Sequence, residues 1–201
     1  MRNYGQWDAT VVAVRAYVDE SVRVASPGVY VLAAVVVPSF RALDIRAQLR
    51  SHVLPGGSRF HWHDEGQDRR AKFLQVFCGF SLPAVVAVAA PMDPKRQERG
   101  RRKCLEQLLW ALEASGVRDV LLESRQERRD QSDRAAISAA QRAQKVPHGL
   151  RYAFGAPASE PLLWLPDVVA GVVSADRAGL PGPGLGALGS ALTVLDSGPA
   201  V

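Results

Sequence analysis

Three carboxylates stand where an α/β protein could gather ligands for a divalent cation. Asp19 follows the apolar run AYV, Glu123 follows VLL, and Asp167 interrupts the apolar stretch PLLWLPDVVAGVV. Open α/β sheets bind ligands outside their strand ends, which suits the first two acids. A carboxylate among apolar residues is costly unless it is paired or binds a cation. Each acid could instead be a polar end of its element, and Asp167 could simply favour a helix N-terminus.

Two further acids could support this cluster. Glu20 directly follows Asp19, but side chains alternate along a strand, so the two carboxylates should face opposite sides of a sheet. Only one of them can then easily join a given site. Glu160 lies seven residues before Asp167, which places both acids near one helix face.

The segment FHWHDE, residues 60–65, carries two histidines and another acid close together. In a strand, His61 and His63 would share a face and could ligate one metal ion. They could also position a phosphate or act as supporting acid and base groups, with Asp64 beside them. A solvated loop is the plainer interpretation of the segment.

The middle of the chain is basic. Residues 95–151 hold 14 Lys/Arg against 8 Asp/Glu, whereas the whole chain has a formal net charge of +5. Such an excess suits a polyanionic partner, because contacts to phosphates release counterions, although it could equally be a solvated surface. The predicted nucleic-acid contacts are Arg96, Arg99, Arg101, Arg102, Arg125, Arg128 and Arg129.

Composition favours one domain in a reducing compartment. The chain has 201 residues, 47% of them hydrophobic, which is enough for one sizeable core. Its N-terminus shows no apolar leader and its apolar runs are short for a membrane span, so we expect a cytoplasmic protein. The two cysteines fit no zinc spacing. Residues 178–201 are rich in Gly, Pro and Ala, which predicts a flexible tail after a domain of residues 1–177.

The apolar runs predict five strands in a mixed sheet, with helices on both faces. The first three strands should be antiparallel in succession, and the first and fourth should be parallel neighbours. Residues 39–82 should form a helical insert between strands two and three that carries the histidines toward the open end of the sheet. The predicted strands are residues 10–19, 29–37, 84–90, 117–123 and 150–154.

Taken in order, the segments AYVDES, VYVLAAVVV, FHWHDE and LLWLPDVVAGVV resemble the domain of unknown function 3800 family, over roughly residues 10 to 177. The resemblance implies a ribonuclease-H-like fold. In such folds the first strand, a later strand and the last helix each supply an acid, which matches Asp19, Glu123 and Asp167. Pro166 departs from the family pattern. A proline inside a helix costs about 3 kcal/mol or more, so we expect a kink beside Asp167.

The resemblance suggests a divalent-metal-dependent nuclease or phosphodiesterase. Three clustered carboxylates repel one another unless a cation neutralises them, and oxygen ligands favour Mg²⁺ or Mn²⁺ over zinc. Two such ions can activate water and stabilise the leaving oxygen of a phosphodiester. The competing hypothesis is a non-catalytic module that binds nucleic acid or protein, in which the carboxylates are structural.

Overall fold

Six strands form one mixed sheet in the computed structural model, which describes residues 13–25, 27–54, 56–189 and 191–201. The order across the sheet is β5-β4-β1-β2-β3-β6. Their bounds are β1 Val14–Arg23, β2 Gly28–Pro38, β3 Ala84–Met92, β4 Asp119–Glu123, β5 Arg151–Gly155 and β6 Leu192–Asp196.

The pairing directions confirm the predicted core topology. β1, β2 and β3 are antiparallel in succession, and β1 is a parallel neighbour of β4. β4 and β5 are also parallel, as the intervening helix requires. Residues 10–12 of the predicted first strand lie outside the described residues.

Helices cover both faces of the sheet. On one face α5 packs against β2 residues such as Val31 and Val35, in an apolar cluster that also includes residues of α1 and α2. On the other face α3 packs against β2 residues such as Leu32 and Ala34, in a cluster that also includes residues of α4. Every position of VYVLAAVVV is apolar, so β2 is buried on both faces at the centre of the sheet. The helices are α1 Ala42–Ser51, α2 Gln67–Phe80, α3 Gln97–Ala114, α4 Glu127–Arg142 and α5 Trp164–Arg177.

The first strand is longer than the sequence predicts. Asp19 and Glu20 were expected at its end, but β1 continues to Arg23 because its antiparallel register with β2 runs on to Arg23 opposite Val29. Its pairing with β4 stops at Val18 opposite Leu122. Asp19 therefore lies inside a strand, at the point where one of its two neighbours ends.

The prediction of a flexible tail is wrong for part of residues 178–201. Residues 192–196 form β6, which pairs in parallel with β3 and makes the sheet six-stranded rather than five-stranded. Ala200 is fully buried, and a side chain added at Gly100 of α3 would approach it to 3.5 Å. Pairing with the outer edge of β3 satisfies backbone groups that would otherwise be unpaired. In the described part of the chain, no helix has the length and apolar character needed to cross a membrane.

Candidate metal site

Asp19 and Glu123 lie side by side because their strands are parallel neighbours. Val18 is opposite Leu122 in the register, and each acid is the next residue along its strand. Val18 and Leu122 both pack into the core under α3 and α4, so strand alternation turns the two carboxylates toward the α5 face. The two carboxyl groups are close enough to affect each other's pKa.

Asp167 reaches the same face from α5, where it is almost completely buried. Its Oδ2 accepts a hydrogen bond of 2.7 Å from the backbone N–H of Trp62 and lies 3.1 Å from His61 Nδ1. The expected kink at Pro166 is wrong, because α5 begins at Trp164 and Pro166 falls in its first turn. Backbone N–H groups in that turn have no partner within the helix, so the proline costs no helical hydrogen bond.

Burial and the charges of neighbouring acids raise the pKa values of Asp19 and Glu123. The pKa of Asp19 is raised well above its usual range, first by burial and then by the charges of Glu123 and Asp167. The pKa of Glu123 is also raised, first by burial and then by Asp167. Arg59 lies 3.9 Å from Glu123, but no Lys, Arg or His among the described residues forms an ion pair with Asp19. Within the part of the chain that the structure describes, Asp19 is therefore a buried acid without a cationic partner, whereas Glu123 and Asp167 each lie beside a basic side chain.

This donor set fits a hard divalent cation. Carboxylate oxygens are the ligands that Mg²⁺ and Mn²⁺ prefer, and a cation would offset the repulsion that raises the pKa of Asp19. Within the described ranges, no group of three or more His, Cys, Asp or Glu side chains is already gathered tightly enough to hold a metal ion. Convergence of the three acids on a shared ion therefore stays a prediction.

The insert brings its two histidines to this end of the sheet. His61 contacts Asp167, and His63 Nε2 shares a hydrogen bond of 3.1 Å with Ser21 Oγ. The hydrogen bond with Asp167 raises the pKa of His61, whereas burial lowers the pKa of His63. His61 directly precedes a short 3-10 turn, Trp62–Asp64, and His63 lies within it, so neither histidine lies in a strand.

Trp62 fastens the insert to α5. A Cβ atom built on Gly171 would lie 2.2 Å from Trp62 Cδ1, so only glycine allows the indole to rest on the helix at this point. The buried ring thereby sets the position of the backbone N–H that binds Asp167. Asp64, predicted as a supporting acid, is exposed, and its charge acts on His61 rather than on the carboxylate cluster.

Glu20 and Glu160 have other partners. Glu20 faces the opposite side of the sheet, as alternation predicts, where it accepts hydrogen bonds from Tyr30 and Arg101. Glu160 forms a bidentate ion pair with Arg46, with hydrogen bonds of 2.8 and 2.7 Å. Neither arrangement supplies a ligand to the Asp19 cluster, so the prediction that these two acids assist it is wrong.

Two of the seven predicted arginines are not available to a polyanion. Arg101 is 2% exposed and binds Asp133 through two of its guanidinium nitrogens, at 2.8 and 2.7 Å. Arg125 is largely buried and pairs with Asp133 and Glu98. The net charge of a segment does not reveal which of its arginines pair with acids inside the protein. Here Asp133 of α4 pairs with both arginines, and Glu98 of α3 also pairs with Arg125.

The other five predicted arginines lie on the surface. All are exposed and lie in or beside α3 and α4, across the sheet from Asp19. Two of them donate to the carbonyl oxygen of Val201 at 3.1 and 2.9 Å. Binding of nucleic acid by these residues stays a prediction; they are Arg96, Arg99, Arg102, Arg128 and Arg129.

Basic side chains nearer to the carboxylates were missed. Arg59 precedes the insert turn, Arg70 donates to the carbonyl oxygens of Trp62 and His63, and Arg23 lies on the same face of β1 as Asp19. The strand alternation of DESVR could have identified Arg23. Nothing in the sequence indicated the other two, because their position depends on how the insert folds back.

Comparison with solved structures shows the fold. The chain is similar to a chain of the PCNA:RNase HII complex from Archaeoglobus fulgidus, with 16% sequence identity and a TM-score of 0.54, over 85% of this chain and 81% of that one. It is also similar to Bst-RNase HIII in complex with Mn²⁺, with 13% identity and a TM-score of 0.50, over 84% of this chain and 56% of that one. The protein therefore has a ribonuclease-H-like fold.

No protein-family model and no curated protein matches the chain. The narrower resemblance to the domain of unknown function 3800 family therefore stays a prediction. Sequence identities of 13% and 16% carry the fold and nothing finer about activity.

Proposed function

We propose that this protein is a nuclease that hydrolyses phosphodiester bonds of nucleic acid with Mg²⁺ or Mn²⁺ held by Asp19, Glu123 and Asp167. The observation that carries the proposal is the position of three acids at one end of the sheet: Asp19 and Glu123 are neighbours on parallel strands, and Asp167 reaches the same face from α5. No cationic side chain of the described residues forms an ion pair with Asp19, whose pKa is raised by burial and by the other two acids. A bound cation would favour the charged form of these carboxylates, which burial and mutual repulsion disfavour.

The two solved structures give the proposal its direction. One is an RNase HIII described with Mn²⁺ and the other belongs to an RNase HII complex, so this fold supports metal binding and action on nucleic acid in other proteins. Bound divalent ions would polarise the phosphodiester and lower the pKa of attacking water. The chain itself supplies the oxygen ligands and, through Trp62 and His61, fixes the orientation of the Asp167 carboxylate.

The decisive experiment is calorimetric titration of Mn²⁺ into the wild type and into Asp167→Asn, together with cleavage of labelled RNA and DNA. An asparagine retains an oxygen that can accept from Trp62, so this substitution removes charge and preserves the contact to the insert. We expect metal affinity to fall at least about tenfold, which corresponds to about 1.4 kcal/mol. Undiminished metal binding and cleavage in Asp167→Asn would contradict the proposal.

The contact between Asp167 and Trp62 also supports a second candidate. In a non-catalytic binding module, Asp167 would serve only to fasten the insert to α5. Its removal would then cost stability, because a buried backbone N–H would lose its partner. The variant Asp167→Ala tests this: a loss of stability in a protein that binds no Mn²⁺ and cleaves no strand would favour the module.

A further inference from the structure

A cavity of about 840 Å³ lies beside the candidate metal site, between α2, α5 and residues 180–187. Its volume falls within the range of about 300–1,000 Å³ that is usual for small-molecule sites. The cavity and the metal site share the turn of the insert. Trp62 and His63 line the cavity, while the backbone of Trp62 binds Asp167 and the ring of His63 binds Ser21.

The charged side chains of this cavity are all of one kind. They are Arg23 and Arg70, and none of the described residues in the lining carries a carboxylate. The imidazole of His63 adds a polar group to the lining. Arg23 donates through Nε to Ser174 Oγ at 3.0 Å, which holds the guanidinium against α5. The two terminal nitrogens of Arg23 form no hydrogen bond within the described residues. They are donors suited to the oxygens of a phosphate.

Apolar side chains form much of the rest of the lining. Ala71 and Leu74 of α2 contribute to it, as does the segment that contains Leu180, Pro181 and Pro183. A lining that combines apolar surface with cationic groups suits a ligand with a flat organic part and an anionic part, since ligand sites commonly combine apolar lining with a few placed polar groups. A nucleoside phosphate has both parts.

The direction of β1 links the cavity to the metal site. Asp19, Ser21 and Arg23 alternate along the strand and therefore share one face. At about 3.3 Å per residue, Arg23 lies roughly 13 Å along the strand from Asp19. A nucleic-acid strand with one phosphodiester at the carboxylates could thus place another of its phosphates, beyond the adjacent one, at Arg23.

We propose that this cavity binds a nucleoside phosphate unit, with its phosphate at Arg23, Arg70 and His63 and its base against the wall formed by Ala71, Leu74 and Pro181. This inference rests on the proposed function, which it deepens by placing the substrate on the α2–α5 side of the sheet. The unit is either part of a nucleic-acid strand or a free nucleotide, and the experiment separates these sources.

The test measures binding without metal or cleavage. A fluorescently labelled short single strand, as RNA and as DNA, is titrated in chelator with the Asp19→Asn variant, and anisotropy reports its affinity. Adding Arg23→Gln should weaken binding at least about tenfold and reduce the slope of log affinity against log salt by about one. Adding Ala71→Trp should weaken binding similarly, because it fills the cavity without changing charge.

Arg142→Gln is the matched control. Arg142 is exposed at the end of α4, across the sheet, and its substitution removes the same charge. Affinity that neither Arg23→Gln nor Ala71→Trp changes would overturn the proposal. A loss of affinity in Arg142→Gln as large as that in Arg23→Gln would overturn it as well. Because Asp19 is already neutralised, failure of the hydrolytic function leaves this result unaffected. Titration of Mn²⁺ into Arg23→Gln, which keeps all three carboxylates, separately tests whether they bind metal.

Competition identifies the source of the ligand. Displacement of the labelled strand by 5′-AMP, with a loss of AMP affinity in Arg23→Gln, would support the cavity as a site for a free nucleotide. Displacement by unlabelled strand alone, lost in the same variant, would support a strand-binding cavity. Displacement by inorganic phosphate as effectively as by AMP would contradict the proposal, because the apolar wall would then contribute nothing.

Discussion

Neutralising Asp19 should stabilise the metal-free protein, which is the reverse of the usual outcome for a buried polar residue. In Asp19→Asn the side-chain oxygen can still accept a hydrogen bond from the backbone N–H of Glu20. This hydrogen bond is 2.7 Å long in the wild type. The substitution therefore removes the charge that Glu123 and Asp167 repel and retains the local contact.

The sign follows from the pKa of Asp19, which burial and the neighbouring acids raise. The folded state binds the Asp19 proton more tightly than the unfolded chain, where the pKa is about 3.9. The stabilisation of the folded state by this tighter proton binding is complete below about pH 3.9. It is lost as the pH rises through the raised pKa that Asp19 has in the folded state. Above that window, each unit of elevation lowers the free energy of unfolding by about 1.4 kcal/mol.

Thermal unfolding in chelator between about pH 4 and pH 8 measures this effect. For a chain of this length, each kcal/mol shifts Tm by about 2–4 °C. Wild type should lose stability as the pH rises through the window, and Asp19→Asn should lose less and exceed it at neutral pH. With Mn²⁺ at about a hundred times its Kd, wild type should gain about 2.7 kcal/mol and the variant nothing.

Glu20→Gln is the control, one residue along the same strand. Glu20 faces the other side of the sheet and pairs with the buried Arg101, so its neutralisation should destabilise the protein and leave the response to Mn²⁺ intact. Lower stability of Asp19→Asn in chelator, with an undiminished gain from Mn²⁺, would refute the reasoning and leave Asp19 a structural carboxylate.

Two further predictions concern the supports of the site and the charge network across the sheet. Gly171→Ala should lose about 1–3 kcal/mol in denaturant unfolding, because its Cβ would displace Trp62. Gly79→Ala on α2, which has open space, should gain about 0.5–1 kcal/mol; equal effects of the two would contradict the packing argument. Arg101→Met should cost about 3–5 kcal/mol by removing the buried guanidinium that pairs with both Asp133 and Glu20, with single-strand affinity unchanged in anisotropy titrations. Unchanged stability together with a loss of single-strand affinity would instead show that Arg101 contacts nucleic acid, as the charge of its segment suggested.

Much of the sheet could be predicted from local patterns. The fully apolar run of β2 indicated burial on both faces, and the order of apolar runs placed β4 parallel to β1, which the structure confirms. Strand alternation correctly separated Asp19 from Glu20, because successive side chains must point to opposite faces. Each of these inferences depends only on backbone geometry that neighbouring residues share.

The sequence could not indicate β6 or the extent of β1. Residues 192–196 follow a stretch rich in glycine and proline, and their strand exists because the edge of β3 offers backbone partners. Likewise β1 continues past Asp19 because β2 extends beside it. Pairing between segments far apart in sequence leaves little trace in either segment alone.

The surroundings of the candidate site were decided by tertiary structure. By itself the sequence determined which residue types were available: three acids, two histidines close together and an excess of arginine. Only the folded chain decided that Arg101 is buried against Asp133, while Arg23 and Arg70 line the cavity beside the carboxylates. The physical reason is that charge and composition add up along a chain regardless of position, whereas burial and pairing depend on which surfaces meet in space.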